Sequence, residues 1–221
     1  MSLINNEKLY NPTFIYGEHE VIKRNNFRYY KIENLLVPSV TSILRVSRST
    51  QDYNYSTKQS DSFEIGNMMH EYLDKYITNK NIHTENSKNS KIASDLSKVI
   101  INNIFPKVTS FIASEATVHN HYNYAGTLDL LAEIDNKLTI IDYKSSYRKK
   151  SSYLIDEHFQ QLAAYAIAHD SMYNTDIQQA MLFIVYKESY EFEVITANLS
   201  SLNNYKSMWQ DKLEYYNEVS V

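Results

Sequence analysis

The chain contains no cysteine. Disulfides, thiolate zinc sites and cysteine-held iron–sulfur clusters are therefore excluded. No run of about 18 apolar residues occurs, so neither a transmembrane helix nor a membrane partner is expected. The opening Met-Ser-Leu-Ile-Asn-Asn-Glu lacks a signal-peptide pattern, and a cytoplasmic protein is expected. No Gly-x-x-x-x-Gly-Lys-Ser/Thr loop is present, so no nucleotide cofactor or ATP motor is expected. A serine nucleophile has no support either, because there is no Gly-x-Ser-x-Gly elbow. Basic charge is not in excess: 22 Lys and Arg against 26 Asp and Glu leave a net charge of −4.

At 221 residues, 43% of them hydrophobic and 13% aromatic, the composition is that of one folded domain. Twenty tyrosines against three glycines read mainly as codon bias, in keeping with the many Asn, Ile and Lys. Most of those tyrosines are expected to be half-buried packing.

The informative stretch runs from Gly126 to Lys144. Leu128, Leu130, Ala132 and Ile134 alternate with Thr127, Asp129 and Glu133, which is the period of a strand. Thr139, Ile140 and Ile141 lead into Asp142-Tyr143-Lys144 as a second strand, and Asp135-Asn136 is two-residue turn chemistry. With that turn, ladder partners sum to a constant: Glu133 faces Leu138 and Asp129 faces Asp142. Asp142 and Lys144, two apart, share a face. Two carboxylates held that close repel one another and are costly to ionise without a cation. Hard carboxylate oxygens suit Mg²⁺.

Elsewhere, residues 20–32 read as a short hairpin turning at Asn25-Asn26. Pro38-Ser39 starts a serine-capped helix through Leu44. Residues 49–61 read as a polar loop, 63–77 as a helix with Gly66, His70, Leu73 and Ile77 on one face, and 79–90 as a polar link. An amphipathic helix follows over 91–104, stopped by Pro106. Residues 114–121 form a strand before the central hairpin. A helix at 155–169, a second hairpin at 181–186 and 192–196, and a helix at 199–216 complete the chain.

Gly126-Thr-Leu-Asp129 with Asp142-Tyr-Lys144 resembles the pattern of the PD-(D/E)XK nuclease superfamily in its RecB-like branch. Gly66-Asn-Met-Met-His70 resembles that branch's Gly-x-x-x-His helix. Gln161-Leu-Ala-Ala-Tyr165 resembles its Gln-x-x-x-Tyr helix. Val37-Pro-Ser-Val-Thr-Ser-Ile-Leu44 is similar to an N-terminal signature of small phage exonucleases and of the mitochondrial genome maintenance exonuclease family. The marks span residues 37–165 in the family's order.

The resemblance implies an α/β fold, a restriction-endonuclease-like core whose central mixed sheet is flanked by helices. Residues 1–36 would form an N-terminal β-hairpin appendage and 37–221 the nuclease domain. It implies a metal-dependent deoxyribonuclease of exonuclease type, acting on single-stranded DNA or DNA ends; a phage-encoded chain would act in the host cytoplasm. Asp129, Asp142 and Lys144 would be catalytic. Asp129, Asp142, His70 and the Tyr143 carbonyl would hold Mg²⁺, with Mn²⁺ compatible with an imidazole ligand. Lys144 would position a water, help deprotonate it or stabilise developing charge. Asp142→Asn is expected to abolish cleavage and to relieve repulsion in the ion-free protein.

Substrate contacts are expected from Gln161, Tyr165, Glu115, Ser39, Thr41, Arg45 and Arg148. For Glu115 the competing reading is a surface glutamate, for Tyr165 packing, and for Ser39, Thr41 and Ser42 helix capping rather than phosphate binding. Arg45, Arg48, Arg148, Lys149 and Lys150 would form a basic rim for the phosphate backbone. Two rival functions remain at this point: a structure-selective or nicking endonuclease, and a catalytically idle DNA-binding module.

Overall fold

The computed structural model describes residues 10–46, 59–81 and 86–220. Three strands form an N-terminal antiparallel sheet: β1 (Val21–Arg24), β2 (Phe27–Ile32) and β3 (Leu35–Pro38). The expected hairpin is present, and β3 adds a third strand. Helices α1 (Val40–Val46), α2 (Gln59–Ile77) and α3 (Lys88–Asn103) follow, then a single 3-10 turn at Phe105–Lys107. The main sheet has the order β4 (Val108–Asn120), β5 (Tyr124–Ile134), β6 (Lys137–Ser146), β7 (Gln179–Tyr186) and β8 (Phe192–Ala197). Helix α4 (Ser152–Tyr173) connects β6 to β7, its parallel neighbour, and α5 (Leu199–Val219) ends the fold. Of the polar loop expected over 49–61, residues 59–61 belong to α2; the remainder, like Arg48, lies outside the described residues.

Local chemistry explains the joints. Asn25-Asn26 and Asp135-Asn136 both have positive φ at each residue, which is how two-residue hairpin turns match strand twist. Every positive φ among the described residues falls on a non-glycine, most often Asn or Asp, whose short polar side chains tolerate that region. Ser87, Ser151 and Asn198 cap α3, α4 and α5, each accepting a hydrogen bond from a first-turn N–H.

Two apolar layers sandwich the main sheet. On one face α1, α4 and α5 bring Ile43, Phe159, Leu162 and Trp209 against Leu128, Leu131 and Ile140. On the other, α2 and α3 bring Met69, Leu73, Ile77 and Leu96 against Leu130, Ala132 and Ile141. The buried stripe of α2 is Ile65, Met69, Tyr72, Leu73 and Ile77. His70 sits at its margin and reaches the sheet from there.

The central hairpin has the expected register from Ile134↔Lys137 to Leu130↔Ile141. It departs from expectation at one point: Leu128 and Leu130 do not share a face but lie in opposite layers. Residues two apart on a regular strand point the same way, so β5 reverses sides at Asp129. The paired strand has its own irregularity at the matching place, because Ser114↔Leu130 and Ala116↔Leu128 put Glu115 opposite Asp129. Glu115 has φ 46°, in the left-handed region where a non-glycine strand residue is strained.

Candidate active site

That double irregularity aims the carboxylates of β4 and β5 at α2. The β5–β6 ladder pairing ends at Leu130↔Ile141, and beyond it the Tyr143 N–H donates to Asp129 Oδ2 at 2.8 Å. A side chain replaces the backbone partner, and the expected Asp129–Asp142 opposition gives way to this bond. His70 Nδ1 lies 3.1 Å from Glu115 Oε1 and 3.5 Å from Asp129 Oδ1. Its Nε2 lies 3.0 Å from the Tyr143 carbonyl oxygen. On the next strand the Lys144 ammonium donates to Asp142 Oδ1, while the buried Asp142 Oδ2 has no hydrogen-bond partner.

The electrostatics follow from crowding. Burial disfavours a charged imidazole, but the Asp129 and Glu115 carboxylates outweigh it and push His70 up to about 9. Burial raises Asp142 to about 6, with Asp129 adding to the shift and Lys144 opposing it. Asp129 is raised chiefly by burial, against the pull of His70 and Lys144. Burial also works against the Lys144 ammonium, yet Asp142 and Asp129 together hold its pKa above the ordinary value.

One nitrogen of His70 and one oxygen each from Glu115 and Asp129 lie within 4.8 Å of one another. A nitrogen and two carboxylate oxygens, with the Tyr143 carbonyl and the unpartnered Asp142 Oδ2 alongside, suit a hard divalent cation. The cluster includes Glu115 where the sequence reading expected Asp142, which stands beside it in the grip of Lys144.

The groups open into one cleft of about 920 Å³. Its floor is β5 and β6, and α2 forms one wall with Gly66, Asn67 and His70. Helix α4 supplies Glu157, His158, Gln161 and Tyr165, and the N-terminal segment supplies Arg28 and Thr41. Gln161 Nε2 donates to the Tyr165 hydroxyl at 2.8 Å. Tyr165 itself is buried, and its ring lies so close to Gly126 that a Cβ there would sit 2.3 Å from Cε1. The glycine of the Gly-x-x-Asp pattern thus makes room for the tyrosine of the Gln-x-x-x-Tyr pattern. A Cβ on Gly66 would meet Ser145 Oγ at 3.6 Å, an ordinary contact.

Other expected contacts are placed elsewhere. Ser39 is buried and its hydroxyl accepts from the Ser42 N–H, so it caps α1. Arg45 donates to the Asn26 carbonyl and lies over the Phe27 ring, on the β1–β2 turn. Arg148 lines a separate depression of about 860 Å³ together with Tyr147, Tyr190 and Glu193. Lys149 pairs loosely with Glu193 at 3.9 Å. Lys150 does lie near the centre: burial and then the Lys144 charge lower its pKa. Lys187, just past β7, gave no signal in the sequence. Its ammonium is buried, donates to the Ser62 carbonyl and hydroxyl, and braces the start of α2.

The family model of the PD-(D/E)XK nuclease superfamily matches residues 105–216. The chain belongs to the PD-(D/E)XK nuclease superfamily. The matched span of this PD-(D/E)XK chain holds Glu115, Asp129, Asp142, Lys144, Gln161 and Tyr165, whereas His70 and Arg28 precede it. Human mitochondrial genome maintenance exonuclease 1 is 25% identical over 210 residues, covering 85% of this chain and 60% of the human protein. The mouse protein of the same name is 30% identical over 124 residues, 53% of this chain and 36% of its own. The chain thus spans about 60% of the human relative's length. A crystal structure named "Putative exonuclease" from Eubacterium rectale superposes with a TM-score of 0.50 at 11% identity, covering 77% of this chain and 72% of that one. That likeness concerns the fold alone.

Proposed function

We propose that this PD-(D/E)XK chain is a divalent-metal-dependent DNA exonuclease that hydrolyses phosphodiester bonds in single-stranded DNA or at DNA ends. The carrying observation is the convergence of His70, Glu115 and Asp129 within 4.8 Å beside the Asp142–Lys144 pair, in one open cleft. The exonuclease names of the curated relatives support the reaction class. We infer a role in DNA degradation, replication or recombination.

His70, Glu115 and Asp129 would hold the cation, with the Tyr143 carbonyl and Asp142 as further oxygen donors. Mg²⁺ fits the oxygens and Mn²⁺ the added imidazole. When bound, such an ion supplies Lewis-acid activation of water and neutralises negative charge on the phosphoryl group. Lys144, whose pKa Asp142 and Asp129 hold above the ordinary value in the ion-free protein, is suited to hold a water or steady developing negative charge. Gln161, oriented by Tyr165, faces the same cleft and can hold a phosphate oxygen or a base edge.

The test is release of nucleotides from end-labelled DNA with Mg²⁺, with EDTA, and by Asp129→Asn. Metal-dependent release that the variant lacks supports the reading. Undiminished cleavage in EDTA contradicts the metal, and DNA binding without cleavage in Mg²⁺ or Mn²⁺ contradicts the enzyme.

A further inference from the structure

Among the described residues, six carboxylates line the cleft: Glu71, Asp74, Glu115, Asp129, Asp142 and Glu157. A DNA strand carries a phosphate at every nucleotide, so this lining repels it except where a cation intervenes. Among the described residues, the lysine and arginine side chains that line the cleft are Lys144 and Arg28. Lys144 is engaged by Asp142. Arg28 is exposed, and among the described residues its guanidinium has no hydrogen bond or ion pair.

The backbone of Arg28 is held by the serines that open α1. Its N–H donates to Ser42 Oγ at 2.7 Å, and its carbonyl accepts from Ser42 Oγ at 3.0 Å and from the Ser39 N–H at 2.9 Å. Ser39 Oγ donates in turn to Ser42 Oγ at 2.9 Å. These are the serines of the Val37–Leu44 signature, and both are buried. They do not face the cleft; they fix the strand position that does. The sheet carrying Arg28 is also tied to the site. The Tyr30 hydroxyl lies 3.0 Å from Thr127 Oγ1, two residues before Asp129, and Ser39 bridges to Ala125.

We propose that Arg28 grips a backbone phosphate of the substrate strand next to the reaction centre, which makes the N-terminal sheet a working wall of the cleft. The inference rests on the DNA-cleaving reading and names a contact within it. A planar guanidinium fork matches two phosphate oxygens at once, which a lysine cannot do. Truncating an exposed side chain whose backbone is pinned by other groups leaves the core intact, so the variant can be read as a binding variant.

The experiment measures binding of a labelled single-stranded oligonucleotide to the full chain carrying Asp142→Asn, which keeps the substrate uncut, across a salt series. Adding Arg28→Ala is expected to weaken binding roughly ten-fold and to make the salt slope shallower by about 0.7, one phosphate contact on a single strand. Arg28→Lys is expected to restore the slope but not the affinity. Arg24→Ala, on exposed β1 and outside the cleft lining, should change neither. Equal affinity and slope for Arg28→Ala and its parent would overturn the contact and leave the nuclease reading standing. A parent that does not bind DNA, together with a native chain that does not cut it, would overturn both.

Discussion

His70 and His169 are both packed against the main sheet, from opposite layers, and they are driven in opposite directions. His169 lies fully buried on α4, between the Tyr16 hydroxyl and the Thr175 hydroxyl, each 2.8 Å away. Phe14, Tyr16 and Tyr173 surround its ring. Burial there pushes it down to about 4. Burial acts on His70 in the same sense, but two carboxylates reverse the outcome and raise it to about 9. Burial alone therefore favours the neutral ring, whereas the carboxylates converging on His70 favour the charged one, as the proposed metal site requires of a group that would exchange a proton for an ion.

The two histidine regions are expected to differ most in catalysis. Asp129→Asn is expected to reduce cleavage on the order of 10³-fold, while His169→Gln leaves the turnover of the folded protein unchanged; steady-state rates on labelled DNA check both. Stability against pH gives the next largest effect. His169 has a folded pKa below its unfolded one, so the unfolded chain binds more protons between about 4 and 6.5. Its contribution is present above pH 6.5 and is lost as pH falls toward 4, by up to about 3 kcal/mol. Denaturant melts of His169→Gln should show a correspondingly flatter profile across that window. His70 has the opposite sign in ion-free protein: its contribution is full below about pH 6.5 and fades as pH rises through about 9.

The packing that orients the cleft should be nearly as sensitive. Gly126→Ala must displace the Tyr165 ring and is expected to destabilise by about 1–3 kcal/mol, visible as a lower Tm. A smaller signal comes from metal uptake. Because ligation requires neutral imidazole and His70 is held protonated up to about pH 9, ion binding near pH 7.5 should release up to about one proton and tighten as pH rises. Calorimetry in buffers of different ionisation enthalpy reads this directly, and His70→Ala should abolish the release.

Much of this arrangement was legible in the residues. Asp135-Asn136 between two β-rich runs fixed the hairpin register, and a register brings Asp129 near Asp142 and Lys144 by counting alone. Gly66-x-x-x-His70 on a helical face placed the imidazole. Counting fails where a strand stops being regular. Alternation gives no sign that β5 reverses at Asp129 or that Glu115 adopts a left-handed backbone opposite it, so Glu115 read as near even between site and surface. The Ser39–Ser42 signature suggested phosphate donors because capping and anion binding use the same residue types. Which one operates depends on what lies beyond the helix start, here the backbone of Arg28. Arg148 and Arg45 look basic in sequence, but nothing local says which way a rim residue turns.

In the proposed enzyme, the Asp142–Lys144 pair and the His70 cluster act as one hydrolytic site for DNA ends. The most direct measurement is a Mg²⁺ cleavage assay on end-labelled single-stranded, end-labelled double-stranded and circular DNA, with Lys144→Ala in parallel. Metal-dependent loss of linear substrate alone, absent in the variant, is the predicted result. Cutting of circles would replace the exonuclease with an endonuclease, and undiminished activity in Lys144→Ala would contradict the site itself.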